Sequence, residues 1–210
     1  MIKILIADDH AVVREGLKQI LSERPDMRVI AEASSGHEVL DLVDRNNFDV
    51  VVLDIAMPGR GGLDILKEIK NKKPRLPVLI LSIYPEELYA VRVLKAGASG
   101  YITKESAPHE LINAINHIAR GKKYISPSLA EKLALDLEIA TDRPLHNSLS
   151  DREFQVMCMI ASGKTLKEIA QQLSLSIKTI STYRSRILEK MNMKSNAELT
   201  HYAIKKHLVD

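Results

Sequence analysis

The sequence predicts an α/β domain, built as a doubly wound, five-stranded parallel sheet, followed by a separate all-α domain of four helices. Short apolar runs rich in β-branched residues alternate with amphipathic segments over about the first 120 residues. After residue 148 the pattern is purely helical. We therefore predict a first domain over 1–122, a partly helical linker over 123–147 and a second domain over 148–210.

The five strands are predicted from apolar runs that are continuous rather than alternating. Strands of this kind are buried on both faces, as in a parallel sheet between two layers of helices. The runs occupy 2–7, 29–33, 50–53, 78–81 and 100–102. The helical segments that follow them occupy 12–21, 38–46, 63–72, 87–96 and 108–120. Gly61 and Gly62 lack a nucleotide-binding pattern and are interpreted as a turn that leads into the third helix.

The linker is predicted from its composition. Pro127 and Pro144 lie within it, and 4 acidic residues outnumber 2 basic ones between 125 and 147. Because Leu129, Leu133 and Leu137 recur at helical spacing, we predict that part of the segment is helical and that 140–147 is the linker proper.

Three helices of the second domain are predicted to begin with Ser or Thr followed three residues later by Glu. In this pattern the hydroxyl accepts a free backbone N–H, and the carboxylate reaches back to the N–H of the capping residue. The pairs are Ser150 and Glu153, Thr165 and Glu168, and Ser195 and Glu198. A short helix over 165–173, a turn over 174–176 and a longer helix over 177–191 predict a helix-turn-helix.

Charge, cysteine content and hydropathy restrict the class of protein. The net charge of +3 is concentrated in 148–210, where 10 Lys and Arg outnumber 6 Asp and Glu. This modest excess fits an anionic partner or an ordinary domain. Cys158 is the only cysteine and has apolar neighbours, so we expect a buried thiol and no disulfide. The sequence shows neither a signal peptide nor an apolar stretch of roughly 18 residues, so we expect a soluble, cytoplasmic protein.

Polar side chains follow four of the predicted strands. Asp8 and Asp9 follow the first, Asp54 the third, Ser82 the fourth and Lys104 the fifth. In a doubly wound sheet, ligands bind outside the carboxyl ends of the strands. Three carboxylates in one crevice require a cation, and their hard oxygen atoms favour Mg²⁺ (or Mn²⁺). With a hydroxyl and an ammonium beside them, they predict a phosphoryl site in which Asp54 is the nucleophile.

Each of these residues has an alternative role when it is taken alone. An acidic pair or a Ser after a strand is often a helix cap, and a Lys in a strand–helix loop is usually solvated. Their occurrence together at four strand ends favours a common site. For His10, next to the acidic pair, we favour a role at the edge of the site or as a cap over metal ligation.

Residues 2–120 resemble the receiver domain of response regulators. The matching strings are I-L-I-A-D-D-H at 4–10, V-V-L-D-I-A-M-P-G at 51–59, L-I-L-S at 79–82 and A-G-A-S-G-Y-I-T-K at 96–104. The resemblance implies a flavodoxin-like strand order 2-1-3-4-5 and a sensor histidine kinase that phosphorylates Asp54. It also implies that Asp8, Asp9, Asp54 and the backbone carbonyl of Ala56 bind the metal.

The same resemblance implies roles for residues around the acceptor. Ser82 matches a switch hydroxyl, and Lys104 matches a phosphate-binding lysine. Tyr101 matches an aromatic residue that changes rotamer on activation. Pro58 and Gly59 match the turn after the acceptor.

Catalytic turnover of the phosphoryl group is not expected. Aspartate-based phosphatases use a second Asp, two residues after the nucleophile, as a general acid, and here that residue is Ala56. Neither Ala56 nor Tyr84, beside the switch serine, is an obvious group to orient an attacking water. We therefore predict a non-enzymatic switch with slow self-dephosphorylation.

Residues 148–210 resemble the LuxR-type DNA-binding domain of the NarL/FixJ class of response regulators. The matching strings are L-S-D-R-E at 149–153, A-S-G-K-T-L-K-E-I-A at 161–170, L-S-L-S-I-K-T-I-S-T-Y-R at 173–184 and I-L-E-K-M at 187–191. The helix over 177–191 has an apolar face opposite a polar one, which suits insertion into the major groove. The alternative is a solvated face of a small helical bundle.

Candidate DNA contacts follow from the positions on this helix and at the start of the preceding one. The candidates for base edges are Ser181, Thr182 and Ser185. The candidates for phosphate are Lys178, Thr179, Arg184, Arg186, Lys164 and Thr165. In the family the last helix pairs two DNA-binding domains, and its candidate residues are Ala197, Leu199, Tyr202 and Ala203. Closing the local core is the alternative role of that helix.

The two halves together predict a transcription regulator. We expect phosphorylation of Asp54 to move Ser82 and Tyr101 and to favour a homodimer on two half-sites of operator DNA. The competing prediction is a receiver used as a protein-interaction scaffold, whose helical tail does not bind DNA. We expect no membrane partner.

Overall fold

The computed structural model describes residues 1–57, 61–127, 129–131, 144–206 and 208–209. The chain divides into two compact units, Met1–Leu133 and Ala134–Asp210. The domain boundaries at 122/123 and 147/148 stay predictions. The predicted turn at Pro58 and Gly59 lies outside the described residues, as do Leu133, Leu137 and 140–143 of the predicted linker.

The first unit contains a five-stranded parallel sheet in the order β2-β1-β3-β4-β5, which confirms the predicted fold class and strand order. The strands are β1 Ile2–Ala7, β2 Met27–Ala33, β3 Val50–Asp54, β4 Val78–Ser82 and β5 Gly100–Thr103. Every residue of β3 and of β4 is buried, as the continuous apolar runs predict. The carboxyl ends of β1, β3, β4 and β5 therefore lie side by side at one edge of the sheet.

Five helices cover the two faces of the sheet. They are α1 Ala11–Ser22, α2 Gly36–Arg45, α3 Gly62–Lys72, α4 Glu86–Lys95 and α5 Ala107–Ala119. On one face, alternate strand residues such as Ile4, Ile6 and Leu79 pack against α1 and α5. Burying each such side chain contributes about 1.5–3 kcal/mol. Helices α2, α3 and α4 contact β2, β3 and β5 respectively and cover the other face.

The chain beyond α5 returns along the outer edge of β5. The Tyr124 N–H donates to the Ser99 carbonyl at 2.9 Å, and Tyr124 forms an isolated parallel bridge with Gly100. A Cβ at Gly100 would lie 2.9 Å from both the Cβ and the carbonyl oxygen of Tyr124, so glycine permits this approach. The Lys123 ammonium donates to the Ala98 carbonyl and fastens the same segment.

The second unit is helical, as predicted. A short 3-10 helix, Leu145–Ser148, precedes α6 Asp151–Ala161, α7 Leu166–Gln172, α8 Ile177–Lys190 and α9 Asn196–Lys205. Cys158 of α6 is buried, as expected. Within the described parts of both units, no helix combines the length and the apolar character that crossing a membrane requires.

Two of the three predicted helix caps have the reciprocal hydrogen bonds, at Ser150 of α6 and at Thr165 of α7. The third is wrong in one respect. The Ser195 hydroxyl accepts the Glu198 N–H at 3.3 Å, but the Glu198 carboxylate accepts the N–H of Lys194 at 3.0 Å rather than that of Ser195. The φ of Ser195 is −148°, against −61° at Ser150, and this rotation turns the Ser195 N–H away.

Candidate functional site

The sheet brings the predicted site residues of the first unit to one edge. Asp8 follows β1, Asp54 and Ser82 end β3 and β4, and Lys104 follows β5. Asp8, Asp54 and Ser82 are fully buried. Because β3 lies between β1 and β4, Asp54 is at the centre of the group. Desolvation at this position makes each charge and hydrogen bond count for more than it would at the surface.

Lys104 joins the two buried carboxylates. Its Nζ lies 2.6 Å from Asp8 Oδ2 and 2.6 Å from Asp54 Oδ2. Burial lowers the pKa of the Lys104 ammonium, but the carboxylates of Asp54 and Asp8 raise it by more, so the net direction is upward. Lys104 therefore carries a full positive charge at neutral pH in a position where a phosphoryl oxygen could replace a carboxylate oxygen.

The Asp54 carboxylate is held at both of its oxygens. Oδ1 accepts the Ala56 N–H at 2.7 Å, and Oδ2 accepts from Lys104 at 2.6 Å. Burial raises the pKa of the Asp54 carboxyl, and the Lys104 ammonium opposes that effect only in part. The ionised form of the Asp54 carboxylate therefore depends on the Lys104 ammonium beside it.

The donor set at this edge fits a hard divalent cation. Ligand atoms of Asp8, Asp9, His10 and Asp54 lie within 4.8 Å of one another. Carboxylate oxygens from three aspartates are the donors that Mg²⁺ prefers. The His10 side chain is 66 % exposed, and its Nδ1 lies 2.9 Å from Asp9 Oδ1, so it lies at the rim of the cluster. His10 occupies the N-cap position of α1 but makes no side-chain cap hydrogen bond.

Ser82 and Tyr101 meet at one residue between β4 and α4. The Ser82 Oγ accepts the Tyr84 N–H at 3.0 Å, and the Tyr101 hydroxyl donates to the Tyr84 carbonyl at 2.7 Å. Tyr101 is buried, and burial raises the pKa of its hydroxyl, which stays protonated. The sequence predicts that Ser82 and Tyr101 respond together, but it does not predict that both bond to the backbone of Tyr84.

Sequence reasoning missed two residues that support the site. Arg14 Nη1 donates to the Asp8 carbonyl at 2.8 Å, which fixes the end of β1. Arg14 lies near the positive N-terminal end of α1, where a cation is unfavourable unless an acceptor is close to it. This unfavourable position in the sequence could have indicated that Arg14 has a structural partner. Gly62 lies directly against β3, since a Cβ there would be 2.4 Å from the Ile55 Cα and 2.8 Å from the Asp54 carbonyl oxygen.

In the second unit, α8 shows the two faces that the sequence predicted. Ile180 and Ile187 are fully buried in the core of the unit. The exposed polar residues are Lys178, Ser181, Thr182, Ser185 and Arg186, with Glu189 and Lys190 in the last turn. The hydroxyls of Thr182 and Ser185 donate to backbone carbonyls one turn earlier, at 3.0 and 3.1 Å, and keep their lone pairs available as acceptors.

The remaining predicted phosphate contacts already have protein partners. Half-buried Arg184 donates through Nε to Asn196 Oδ1 at 2.7 Å, and Lys164 donates to Gln172 Oε1 at 2.6 Å. The hydroxyl of Thr179 is hydrogen-bonded to the hydroxyl of Ser176, the N-cap of α8. The hydroxyl of Thr165, the N-cap of α7, donates to the Glu168 carboxylate at 2.7 Å. These contacts orient the side chains and leave the other guanidinium and ammonium protons of Arg184 and Lys164 available.

The four candidate dimerisation residues of α9 do not share one face. Leu199 and Ala203 are fully buried within their own unit, so in this arrangement they close the local core, the alternative role of the helix. Ala197 is exposed and Tyr202 is half-buried beside an open groove of about 510 Å³. The Tyr202 hydroxyl lies 2.9 Å from His146 Nδ1. Dimerisation through α9 stays a prediction, and its accessible candidates are Ala197 and Tyr202.

Comparisons with known proteins agree with both halves of this description. The sequence profile of the response regulator receiver domain matches residues 4–116, and that of the bacterial regulatory proteins of the luxR family matches 147–203. The response regulator UvrY of Escherichia coli K12 is 38 % identical over 98 % of this chain and 94 % of its own. The oxygen regulatory protein NreC of Staphylococcus carnosus is 39 % identical over 99 % of both chains.

A solved structure of similar architecture contains DNA. RcsB from Salmonella enterica serovar Typhimurium, bound to promoter rprA in the presence of the phosphomimetic BeF₃⁻, is 26 % identical to this chain with a TM-score of 0.65. The similarity covers 96 % of this chain and 98 % of RcsB.

Proposed function

This chain belongs to the two-component response regulators of the NarL/FixJ class, and we propose that phosphorylation of Asp54 by a sensor histidine kinase controls its binding to operator DNA. Members of this family are DNA-binding transcription regulators rather than enzymes. The observation that carries the proposal is the burial of Asp54 between the Ala56 N–H and the Lys104 ammonium, beside Asp8.

The chemistry of transfer follows from these contacts. An oxygen of Asp54 forms the new bond to phosphorus while the bond from phosphorus to a histidine nitrogen of the kinase breaks, and that nitrogen keeps the electron pair. Asp8, Asp9, Asp54 and the Ala56 carbonyl would hold Mg²⁺ (or Mn²⁺), which neutralises charge on the phosphoryl oxygens when bound.

Two further residues act on the phosphoryl group once it is attached. The Lys104 ammonium exchanges a carboxylate oxygen for a phosphoryl oxygen, which it can reach because it now lies 2.6 Å from Asp54. The Ser82 hydroxyl releases the Tyr84 N–H and donates to a second phosphoryl oxygen. The local rearrangement at Tyr84 then reaches Tyr101, whose hydroxyl it holds.

The aspartyl phosphate is expected to decay slowly. Position 56 is alanine, so no side chain there can act as an acid or orient water. The Tyr84 ring stacks on Tyr89, with ring centroids 4.7 Å apart, and this contact holds it in a position where it does not orient an attacking water. Following the decay of the purified aspartyl phosphate tests this directly. A lifetime of only a few seconds would contradict the slow-switch proposal.

We also propose the domain organisation that the sequence predicts. The receiver is assigned to 1–122, a partly helical linker to 123–147 and the DNA-binding domain to 148–210. The protein acts in the cytoplasm, where the kinase and the operator are both accessible. On DNA it is a homodimer, each copy of which inserts α8 into a major groove, with Ala197 and Tyr202 of α9 at the contact between copies.

The contacts with DNA are assigned to two classes. Ser181, Thr182 and Ser185, which line the exposed face of α8, meet base edges. Backbone phosphates are contacted by Lys178, Thr179, Arg184, Arg186, Lys164 and Thr165. Exposed cations reach phosphates without reading sequence, so these residues set affinity and register rather than operator choice.

The variant Asp54→Asn tests the link between phosphorylation and DNA. Genome-wide mapping of bound sites supplies the operator, and its affinity is then measured with and without a phosphodonor. The donor should tighten binding by the wild-type protein and leave Asp54→Asn unchanged. Asp41→Asn, at a half-exposed position of α2, is the matched control and should respond as the wild type does. Equal stimulation of wild type and Asp54→Asn would overturn the proposal.

Salt dependence tests contact with DNA. Each lost phosphate contact should reduce the slope of log affinity against log salt by about 1. We expect a smaller slope for Lys178→Gln and for Arg186→Gln. The slope should not change for Lys3→Gln, at an exposed position near the beginning of β1. Affinity that does not fall with salt would favour the scaffold alternative.

A further inference from the structure

A hydrogen bond joins the first turn of α4 to the start of the segment that leads toward the second unit. The Ser126 Oγ donates to Glu86 Oε2 at 2.7 Å, across 40 positions of sequence. We propose that Ser126 and Glu86 are positioning residues that transmit the phosphorylation-dependent state of α4 to this segment. This inference rests on the proposed function, because it presupposes that Asp54 controls DNA binding.

Ser126 caps the helical turn that follows it in the first unit. Its hydroxyl accepts the Leu129 N–H at 3.1 Å, and its carbonyl accepts the Ala130 N–H at 3.0 Å. These are the hydrogen bonds of a helix N-cap, so Ser126 sets where the next helical turn begins. Leu129 is buried, which anchors that turn. The same hydroxyl therefore serves both the cap and the contact with α4.

Glu86 is only four residues from the switch serine. The Ser82 Oγ holds the Tyr84 N–H, the Tyr101 hydroxyl holds the Tyr84 carbonyl, and Pro85 is the N-cap of α4. Glu86 is the first residue of that helix. A change in the partner of Ser82 therefore displaces the peptide of Tyr84 and, two residues later, the carboxylate that Ser126 holds.

The segment before Ser126 is bonded to β5 and to the loop that precedes it. Tyr124 is bonded to Ser99 and bridged to Gly100 of β5, and Lys123 is fastened to the Ala98 carbonyl. A movement of the first turn of α4 relative to β5 would therefore act on the hydrogen bond between Ser126 and Glu86. A hydrogen bond of 2.7 Å that lengthens by about 1 Å is effectively broken, so a movement of this size would break the contact.

The test compares phosphodonor stimulation of operator affinity among variants of the full chain. Ser126→Ala removes the donor and the cap together. Ser126→Asp retains a capping oxygen but cannot donate to Glu86 and places a like charge beside it. Glu86→Ala leaves the cap intact. Ser34→Ala is the matched control, since Ser34 also donates to a carboxylate, that of Glu38, but in the β2–α2 loop.

We expect stimulation in each of the three pair variants to fall about fivefold or more, the lower end of typical allosteric coupling. The double variant Ser126→Ala/Glu86→Ala should fall no further than either single variant. The amount of phosphorylated Asp54 should match the wild type, and Ser34→Ala should respond normally.

Each other outcome has a defined meaning. Wild-type stimulation in Ser126→Asp and Glu86→Ala would overturn this inference while leaving the proposed function intact. Additive losses in the double variant would show that the two residues act separately and would also overturn it. Absence of stimulation in the wild-type protein would instead refute the proposed function.

Discussion

The junction of β3 and α3 offers a direct test of the site geometry through the variant Gly62→Ala. A Cβ at this position would lie 2.4 Å from the Ile55 Cα and 2.8 Å from the Asp54 carbonyl oxygen. Carbon atoms in contact normally lie about 3.5–4.0 Å apart. The added methyl group therefore requires the backbone beneath the acceptor to move by about 1 Å.

The size of the effect follows from two opposing contributions. Overpacking of this kind costs about 1–3 kcal/mol, and both atoms in contact are backbone, which cannot rotate away. Replacing glycine by alanine in a helix interior gains at most about 1 kcal/mol, and less at the first helical residue. We expect a net loss of about 2 kcal/mol in the free energy of unfolding. Gly16→Ala in α1, with no neighbouring atom within 4 Å, should instead gain about 0.5–1 kcal/mol.

Urea unfolding followed by circular dichroism measures both variants. With a urea dependence of roughly 2 kcal/mol per M, the midpoint of the first unit should fall by about 1 M in Gly62→Ala and rise slightly in Gly16→Ala. Phosphorylation by a small-molecule donor should also slow in Gly62→Ala, because the displaced peptide carries Asp54. A Gly62→Ala protein with the wild-type midpoint and phosphorylation rate would refute this reasoning.

Two further predictions concern the buried carboxylate of α6. Glu153 is 3 % exposed and accepts from Lys190 at 2.6 Å, and Lys190→Met should cost the second unit about 1–2 kcal/mol. The expected loss is smaller than for a fully buried ion pair, because Lys190 is 41 % exposed and the Ser150 N–H still donates to Glu153. A thermal unfolding midpoint equal to that of the wild type would contradict this prediction. Burial raises the pKa of Glu153, but the hydrogen bonds from Lys190 and Ser150 lower it by more, so the net direction is downward. Its contribution to stability is therefore complete above the unfolded pKa of about 4.5 and is lost as the pH falls through the lower folded value. Acid unfolding of Lys190→Met should show a weaker dependence on pH in that window, and an unchanged dependence would count against the pair.

The fold could be predicted from the sequence because its main determinants are local. Continuous apolar runs such as 50–53 specify buried strands, and the helices between them leave few possible connections. The site residues at the strand ends follow from that topology. Asp54 and Lys104 are 50 positions apart, yet parallel strands that end at one edge bring them within 2.6 Å.

What could not be predicted depends on backbone orientation and on long-range contacts. The sequence pattern at Ser195 matches those of the two other caps, but its φ differs and redirects one hydrogen bond. The hydrogen bond between Ser126 and Glu86 could not be predicted from sequence periodicity, because Ser and Glu are common at the beginning of any helix. Helix geometry alone, by contrast, could have separated Ala197 from Leu199, since residues two apart lie about 200° apart around a helix.

The return of the chain along β5 bears on how the receiver can be isolated as a fragment. Outer strands expose unpaired peptide groups that invite edge-to-edge association between molecules. At the β2 margin, Arg28 and Glu32 place charges on the strand, which discourages such pairing. At the β5 margin that protection comes from Tyr124, which covers Ser99. A fragment that ends at 122 would lack the contact of Tyr124 with Ser99 and Gly100, and we expect it to self-associate more readily than one that extends past Ser126.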